Sequence, residues 1–582
     1  MEIKTGLISQ IENEIKSYLT EVVPIGENYD FSQYKLTKRI SMFENKIYPT
    51  GKFDSQGNYK YWFDIITTRI EAEIKNIDFD TKNVVAYSDA KIDELPCLIV
   101  NLKLKEYLRE TCQAEEINSA IEEGSGWGNV VWKKIKEGYE RVDLKNFYVI
   151  NQTAQTLNET PAIERHQLSQ SDLRAKQDSW DYVDEVIKEC KTNSYKSEIG
   201  TQEKDTTVPY YDIYERNGEV CLYDLKEYNE EEPDEKDKDK YVLARVVAAG
   251  KKGTISGVEI KYIMFAGEIK KMPYEEYHRS RYKGRWWREG LYELLMDLQV
   301  RGNQIGNQLA QGLEFAGKLV LSSADKLIIQ NIITDMKNGD IVKPQDLKQV
   351  DLRMHAADQL FAEWNRIIEL ANEIANSREI VMGDATPNQP FRLGALLNTN
   401  ANKLFDFIRE KLAIPFSKMF EKGIIPELIK ELKAKEILRL TGDSDILARI
   451  QQIIVDDWYI SNLVNFPPHT KEIADELKAQ QLEELKKRPQ LLMKGTETLF
   501  ENFKPRVSVI ITGEQVNLDS DLQTLGSFAQ LEADLVRRSA ILELMARKKG
   551  LDFGSLPKSP PMQPMKPMPT RETAMAGAEN MI

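Results

Sequence analysis

Cysteine and histidine are scarce in this chain, which has four of each among its 582 residues. The cysteines form no CxxC pair, so neither a disulfide framework nor a cysteine zinc site is expected, and a reducing compartment fits. No histidine stands at metal-ligand spacing from a second ligand, so each is interpreted as a surface or core residue. The eight residues are Cys97, Cys112, Cys190, Cys221, His166, His278, His355 and His469. We therefore predict no metal and no other cofactor.

The motifs of nucleotide-binding enzymes are also missing. No GxxxxGK[ST] loop occurs, and the run GKKGT at 250–254 has the wrong order and spacing for one. The glycine-rich run Gly124–Gly128 precedes a strand-like segment and offers no helix N-terminus to a pyrophosphate, so we interpret it as a turn. A packaging ATPase is therefore disfavoured, and no set of residues suggests catalysis.

Long apolar runs and positive charge are in short supply as well. Nowhere do 18 apolar residues follow one another, and the first residues lack the apolar core of a signal peptide, so we expect a soluble cytoplasmic product that does not bind membranes. The formal net charge is −14. Broad, tight binding of phosphates needs Lys and Arg and is not expected, whereas a surface of like charge lets DNA slide past.

The composition, with 41% hydrophobic and 30% charged residues, is that of a folded chain long enough for more than one packed region. Residues 1 to about 120 show helical periodicity. The segment from 124 to about 270 consists of β-branched and aromatic runs, which predict antiparallel strands. We predict an α+β fold that is mainly helical.

Three features interrupt the predicted strands. Asn217-Gly218 is a typical hairpin dipeptide, so we expect a turn there. Helical segments are expected at about 171–192. The charge run Glu230–Lys240 is expected to form an exposed loop.

From residue 282 the pattern is mainly helical, and its order is distinctive. A long helix over 288–316 is followed by a small α/β segment at 317–357 and by a second amphipathic helix over 358–377. The Gly/Pro-rich stretch 378–402 then leads into a helix over 403–432, which Pro415 and Pro426 should kink. The first helix carries the apolar stripe Leu291, Leu295, Leu298, Gly302, Ile305, Leu309 and Leu313. Its other faces are rich in uncharged polar residues, namely Gln299, Asn303, Gln304, Asn307, Gln308 and Gln311.

Shorter elements complete this part. The α/β segment reads as a strand at Lys318–Leu321, a helix over Leu327–Met336 and a turn at Asn338-Gly339. A strand is expected at Val507–Thr512.

The segment Tyr277–Arg288 mixes arginines with aromatic residues. Such a mixture could stack bases or bind phosphates. Alternatively, it forms a junction whose tryptophans pack and whose arginines pair with neighbouring acids, and we favour this second interpretation.

The order of parts from Tyr282 onward resembles the portal family of tailed bacteriophages. The resemblance rests on the runs GLYELLMDLQVRGNQIGNQLAQGLEFAG, QLFAEWNRIIELANEIANS, MGDATPNQPFRLGALLN and NKLFDFIREKLAIPFSKMF. The strand-rich region, with VDLKNFYVI and TPAIERHQLSQSDL, is similar to portal wing segments. The resemblance implies a wing at 1–284, a first stem helix at 285–316, a clip at 317–357, a second stem helix at 358–377, a tunnel loop at 378–402, a long kinked helix and wing return at 403–485, a crown at 486–555 and a disordered tail at 556–582.

The family resemblance also implies a function without chemistry of its own. Portal subunits form a ring, usually of twelve copies, at one capsid vertex, through which double-stranded DNA is packaged and ejected. The expected partners are further copies of the chain, the terminase large subunit, a head–tail adaptor and the major capsid protein. The expected location is the virion, after assembly in the host cytoplasm.

Three sets of residues follow as candidate sites. An acidic and neutral channel lining is predicted from Glu363, Glu369, Glu373, Gln304 and Gln308. Contact of the tunnel loop with DNA is predicted from Thr386, Pro387, Asn388, Gln389 and Arg392. Docking of partners on the clip is predicted from Lys337, Asp340, Lys343, Asp346 and Lys348.

Two other classes of function remain open at this point. A nucleic-acid-processing enzyme or motor subunit would need a carboxylate metal site or a phosphate-binding loop. A helical protein–protein adaptor would need neither, and would stay monomeric.

Overall fold

Helices and antiparallel strands alternate along the chain, and helix predominates, as the sequence predicts. The computed structural model describes residues 5–26, 29–53, 57, 59–77, 84–88, 94–136, 138–192, 210–252, 258–316, 321–322, 348–349, 357–375, 405 and 407–432, with shorter stretches between 451 and 530. Residues 1–511 form one unit. In the second unit, 512–582, the described residues 525–527 and 529–530 are helical.

The first 127 residues are mainly helical. Their elements are α1 (Thr5–Thr20), β1 (Val23–Gly26), β2 (Tyr29–Phe31), α2 (Gln33–Glu44), α3 (Ile66–Asn76), β3 (Val84–Tyr87), α4 (Glu94–Glu110) and α5 (Gln113–Trp127).

The strand-rich region follows as predicted. Its elements are β4 (Asn129–Ile135), β5 (Gly138–Arg141), β6 (Phe147–Val149), β7 (Ala162–Ser169), α6 (Gln170–Ala175), α7 (Val183–Glu189), β8 (Lys191–Thr192), β9 (Tyr210–Cys221), α8 (Leu222–Tyr228), β10 (Tyr241–Lys252), β11 (Val258–Glu268) and β12 (Tyr274–His278). Short 3-10 helices lie at Leu144–Asn146, Leu157–Glu159 and Glu235–Asp239.

These strands form two antiparallel sheets. A six-stranded sheet has the order β11-β10-β9-β7-β6, with β8 beside β9, and a three-stranded sheet has the order β12-β4-β5. The apolar side of α1, including Ile11 and Ile15, packs with one set of buried sheet residues. Leu173 of α6 and Val186 of α7 pack with another set. The larger sheet is therefore enclosed by helices.

The remaining described elements follow from residue 291 onward. They are α9 (Leu291–Ala316), β13 (Leu321–Ser322), β14 (Lys348–Gln349) and α10 (Ala357–Ile374). Residues 407–419 are helical, a π-helical turn follows at Phe420–Ile424, and helices cover Ile425–Glu431 and Lys471–Lys487. The last strand, β15 (Arg506–Val509), pairs with β3.

A π-helical turn interrupts the segment in which Pro415 and Pro426 were expected to kink a helix. It lies between Pro415 and Pro426, and Pro426 stands in the first turn of the helix that follows. Proline has no backbone N–H to give to the preceding turn, so the wider turn accommodates it. Among the described residues, no helix is long and apolar enough to cross a membrane.

Two turn predictions are wrong. Asn217-Gly218 lies inside β9, because Asn217 is fully buried and its amide donates to Tyr274 Oη at 2.9 Å. Gly218 is needed there because Pro161 leaves no room for a Cβ. Gly124 to Trp127 form the last turn of α5, and Gly128 caps that helix with φ 85°.

The charge run Glu230–Lys240 is not only an exposed loop. Asp237 within it is buried and pairs with Lys226 at 2.8 Å and with Lys240 at 2.9 Å. The two lysines hold its pKa below the usual range. The run is therefore partly a structural element, which its composition did not indicate.

Candidate channel-lining helix pair

The two long helices α9 and α10 pack against each other through apolar residues. Leu291, Leu295, Ile305 and Leu309 of the predicted stripe are buried, whereas Leu313 is 61% exposed. Ile367 and Ala371 of α10 face inward, as does Ala375 directly after the helix, and Trp364 packs beside them. Strand β13 follows α9 and strand β14 precedes α10, and the two strands pair with each other. The chain thus leaves one helix and returns beside it.

Residues 61–65 lie close against the buried side of α9. Gly302 and Gly306 face residues 61–65, and a Cβ at either position would collide with Ile65 or Phe63. Phe63 in turn meets Trp364 of α10 edge to face, with ring centroids 5.5 Å apart. The two glycines therefore let this segment lie beneath both helices.

Three side-chain amides of α9 hold this segment by its backbone. Gln299, Asn303 and Asn307 are spaced four residues apart and so lie on one face of the helix. Their oxygens accept hydrogen bonds from Ile65 N at 2.8 Å, Phe63 N at 2.9 Å and Tyr61 N at 2.8 Å. Half of the uncharged polar set is thus used to bind the backbone of residues 61–65, with the bond to Ile65 N buried and the bond to Tyr61 N exposed.

The outer face of the helix pair carries four of the five predicted lining residues. Gln304 and Gln308 of α9 are exposed, as are Glu369 and Glu373 of α10, which lie one turn apart. Asp297 and Asp358 are exposed on the same two helices. The structure places these predicted residues on the surface of the helix pair.

Glu363 differs from the other two glutamates. It forms a bidentate pair with Arg301 of α9, at 2.8 and 3.0 Å. It also lies about 100° around α10 from the row of Glu369 and Glu373, since successive residues are about 100° apart. Glu363 therefore joins the two helices through Arg301, whereas Glu369 and Glu373 form a separate row on α10.

The remaining candidate residues lie mostly outside the described residues. This applies to the tunnel-loop set Thr386, Pro387, Asn388, Gln389 and Arg392, and to Lys337, Asp340, Lys343 and Asp346 of the clip. It also applies to the predicted clip helix and its Asn338-Gly339 turn. Lys348 lies in β14, and its side chain is not among those described.

The arginine- and aromatic-rich segment is a packed junction, as the favoured interpretation predicts. Trp286 and Trp287 are buried. Arg279 forms a bidentate pair with Glu73, with both distances 2.8 Å, and Arg285 pairs with Glu293 at 2.7 Å. Arg279 and Arg285 are thus paired inside the protein and are not available to phosphates.

One group of side chains, absent from the sequence predictions, resembles a metal site. Glu164, His166 and Glu215 bring ligand atoms within 4.8 Å of one another. However, Lys133 Nζ lies 2.9 Å from Glu164 and 2.6 Å from Glu215, and Arg245 Nε lies 2.9 Å from Glu215. An added cation would be repelled by both, so these residues do not fit a metal ion.

The register of two strands explains why the sequence did not reveal this group. Glu164 and Glu215 face each other across β7 and β9, a register that the sequence does not state. Although burial opposes it, His166, Lys133 and Arg245 hold the pKa of Glu215 well below its usual range. The cluster is a buried ion network between the two sheets.

Comparison of the chain with protein-family models and with curated proteins finds no match. Any assignment of function therefore depends on the geometry described above and on the order of elements.

Proposed function

We propose that this chain is the subunit of a portal, a ring at one capsid vertex through which double-stranded DNA is packaged and later ejected. The observation that carries the proposal is the arrangement of α9 and α10. Two long helices pack side by side, and the segment between them contains a short pair of strands, β13 and β14. The irregular helix at 407–431 follows the second of them.

The exposed side of the helix pair supports a role in conducting DNA. Its carboxylates are Asp297, Asp358, Glu363, Glu369 and Glu373, against the guanidinium groups of Arg301 and Arg366. Arg301 is already paired with Glu363. Such a face repels phosphates and offers few cations that would hold them, so DNA in contact with it would move rather than stick.

Subunits of a closed ring need two different, complementary surfaces. In the proposal, copies associate so that Gln304, Gln308, Glu369 and Glu373 face the central hole. The segment between α9 and α10 would dock the terminase and later the head–tail adaptor, while the capsid protein holds the ring from outside. The residues at 386–392 would touch passing DNA.

Negative-stain microscopy of the purified full chain tests the proposal. Closed rings with a central hole are the expected result. A chain that stays monomeric over the whole accessible concentration range would contradict the portal and favour the adaptor.

A further inference from the structure

Helix α2 carries a row of cations that face solvent. Its inner face buries Leu36, Ile40 and Phe43. Lys35, Lys38 and Arg39 lie outside this buried face at spacings of three and four residues, and all three are exposed. No carboxylate of the described residues pairs with any of them. The row lies in a chain whose formal net charge is −14.

An acidic groove lies on another side of the same unit. It has a volume of about 780 Å³ and lies between α3, α5 and the β4–β5 hairpin, with Trp127 and Tyr292 among its walls. Its carboxylates come from Glu44, Glu71, Glu116, Glu122, Glu123, Glu140 and Asp143, and its cations from Arg141 and Lys145. Carboxylates thus greatly outnumber cations in the groove.

Internal pairing leaves part of this acidity uncompensated. Arg141 pairs with Glu116 at 3.1 Å and Glu123 at 2.7 Å, and Lys145 pairs with Glu44 at 2.7 Å. Four exposed acids of the groove have no cation partner among the described residues, namely Glu71, Glu122, Glu140 and Asp143. Burial, against the pull of Arg141, raises the pKa of Glu123 to about 7. The groove can therefore accept positive charge from outside.

The basic row cannot enter the groove of its own chain. Glu44, at the end of α2, lines the groove. Lys35, Lys38 and Arg39 are rotated from Glu44 by roughly 120–180° about the helix axis, at about 100° per residue. The two surfaces therefore point in different directions, which suits a head-to-tail contact between identical chains.

We infer that the basic row of α2 docks into the acidic groove of a second copy of this chain. The inference rests on the proposed function, for which it names one of the contacts between neighbouring subunits. Charge complementarity selects a second copy as the occupant, since the row and the groove carry opposite charges and the same chain supplies both. Since each contact joins two different surfaces, the assembly can continue from copy to copy until it closes.

Charge reversal of the full chain tests the inference. The first variant is Lys35→Glu/Lys38→Glu/Arg39→Glu, and the second is Glu71→Lys/Glu122→Lys/Glu140→Lys. The third combines all six substitutions and so exchanges the two charges. Arg174→Glu/Lys176→Glu/Lys188→Glu, on the exposed sides of α6 and α7, is the matched control for the first variant. Circular dichroism and melting temperature verify that each variant folds.

The measurement is the size distribution by sedimentation velocity and mass photometry over a concentration series. Either single-sided reversal should raise the concentration needed for assembly about tenfold or more, because like charges then face each other. The six-fold variant should assemble again, as should a mixture of the two single-sided variants. The control should assemble as the wild type does, and added salt should weaken assembly of the wild type.

The outcomes separate this inference from the portal proposal. If the wild type forms rings and both single-sided variants do so unchanged, the inference falls and the portal proposal stands. If the wild type forms open chains or dimers that the reversals abolish, the inference stands and the ring falls. If the first variant assembles normally but loses binding to DNA, the row binds nucleic acid and the inference is wrong. A strictly monomeric wild type contradicts both.

Discussion

Two basic segments, in α2 and at residues 279–288, differ in how their cations are paired. In the later segment, Arg279 is paired with Glu73, and Arg285 with Glu293. In α2, Lys35, Lys38 and Arg39 point to solvent with no carboxylate partner among the described residues. The later segment contains two tryptophans that enter the core and bring the arginines with them. In α2 the apolar residues occupy one face of the helix, so the cations outside that face stay exposed to solvent.

Removal of Arg279 should produce the largest effect and so test the buried side of this comparison. Arg279→Ala would leave Glu73, whose side chain is 0% exposed, as an unpaired buried charge. We expect a loss of about 3–5 kcal/mol in the free energy of unfolding, measured by urea denaturation. Arg39→Ala is the matched control and should change stability by no more than about 0.5 kcal/mol. Equal effects of the two substitutions would remove the distinction between the segments.

Asn303 and Gln304 make the same comparison within α9. Asn303→Ala would leave the backbone N–H of Phe63 without its acceptor, at a cost of about 1–3 kcal/mol. Its exposed neighbour provides the control, because Gln304→Ala removes only a solvated amide. A thermal melt that shows the same shift for both would contradict the inward role of Asn303.

Glu123 and Glu122 extend the comparison to pH. The folded pKa of Glu123 is raised to about 7 from an ordinary value of 4.5, so between about pH 4.5 and 7 the folded protein keeps a proton that the unfolded chain has lost. Its contribution to the free energy of unfolding is present below pH 4.5 and is lost as the pH rises to about 7, by about 3 kcal/mol. Glu123→Gln should flatten the stability profile over this range, and Glu122→Gln should leave it unchanged. If the Glu123→Gln variant has the same profile of stability against pH as the wild type, the Glu123 carboxyl does not titrate between pH 4.5 and 7.

The pair Arg301–Glu363 should give the smallest effect. Its side chains are 45% and 39% exposed, so a double-mutant cycle with alanine should give a coupling energy of no more than about 1 kcal/mol. A larger value in the isolated chain would mean that the pair is more shielded from water than its exposure indicates.

Much of the fold could be predicted from periodicity. The first long helix, expected over 288–316, is Leu291–Ala316, and the second, expected over 358–377, is Ala357–Ile374. Their apolar stripes repeat at the helical period, so local sequence was sufficient. The prediction of a turn at Asn217-Gly218 was wrong because β9 pairs with β7 and β10, strands that lie far from it in the sequence.

The sites were predicted less well than the helices. Spacing placed Glu369, Glu373, Gln304 and Gln308 on exposed faces, but it could not show that Arg301 engages Glu363 across the helix pair. The sequence did not predict a role for the basic row of α2, because three cations among apolar residues are typical of any amphipathic helix. Its meaning depends on the acidic groove, which segments far apart in sequence form together.

Cryo-electron microscopy of the assembled full chain tests the central claim most directly. We expect a closed ring whose central hole is lined by the outer face of α9 and α10, with Gln304, Gln308, Glu369 and Glu373 toward the hole. Absence of closed rings, or a ring in which this face is turned away from the hole, would contradict it.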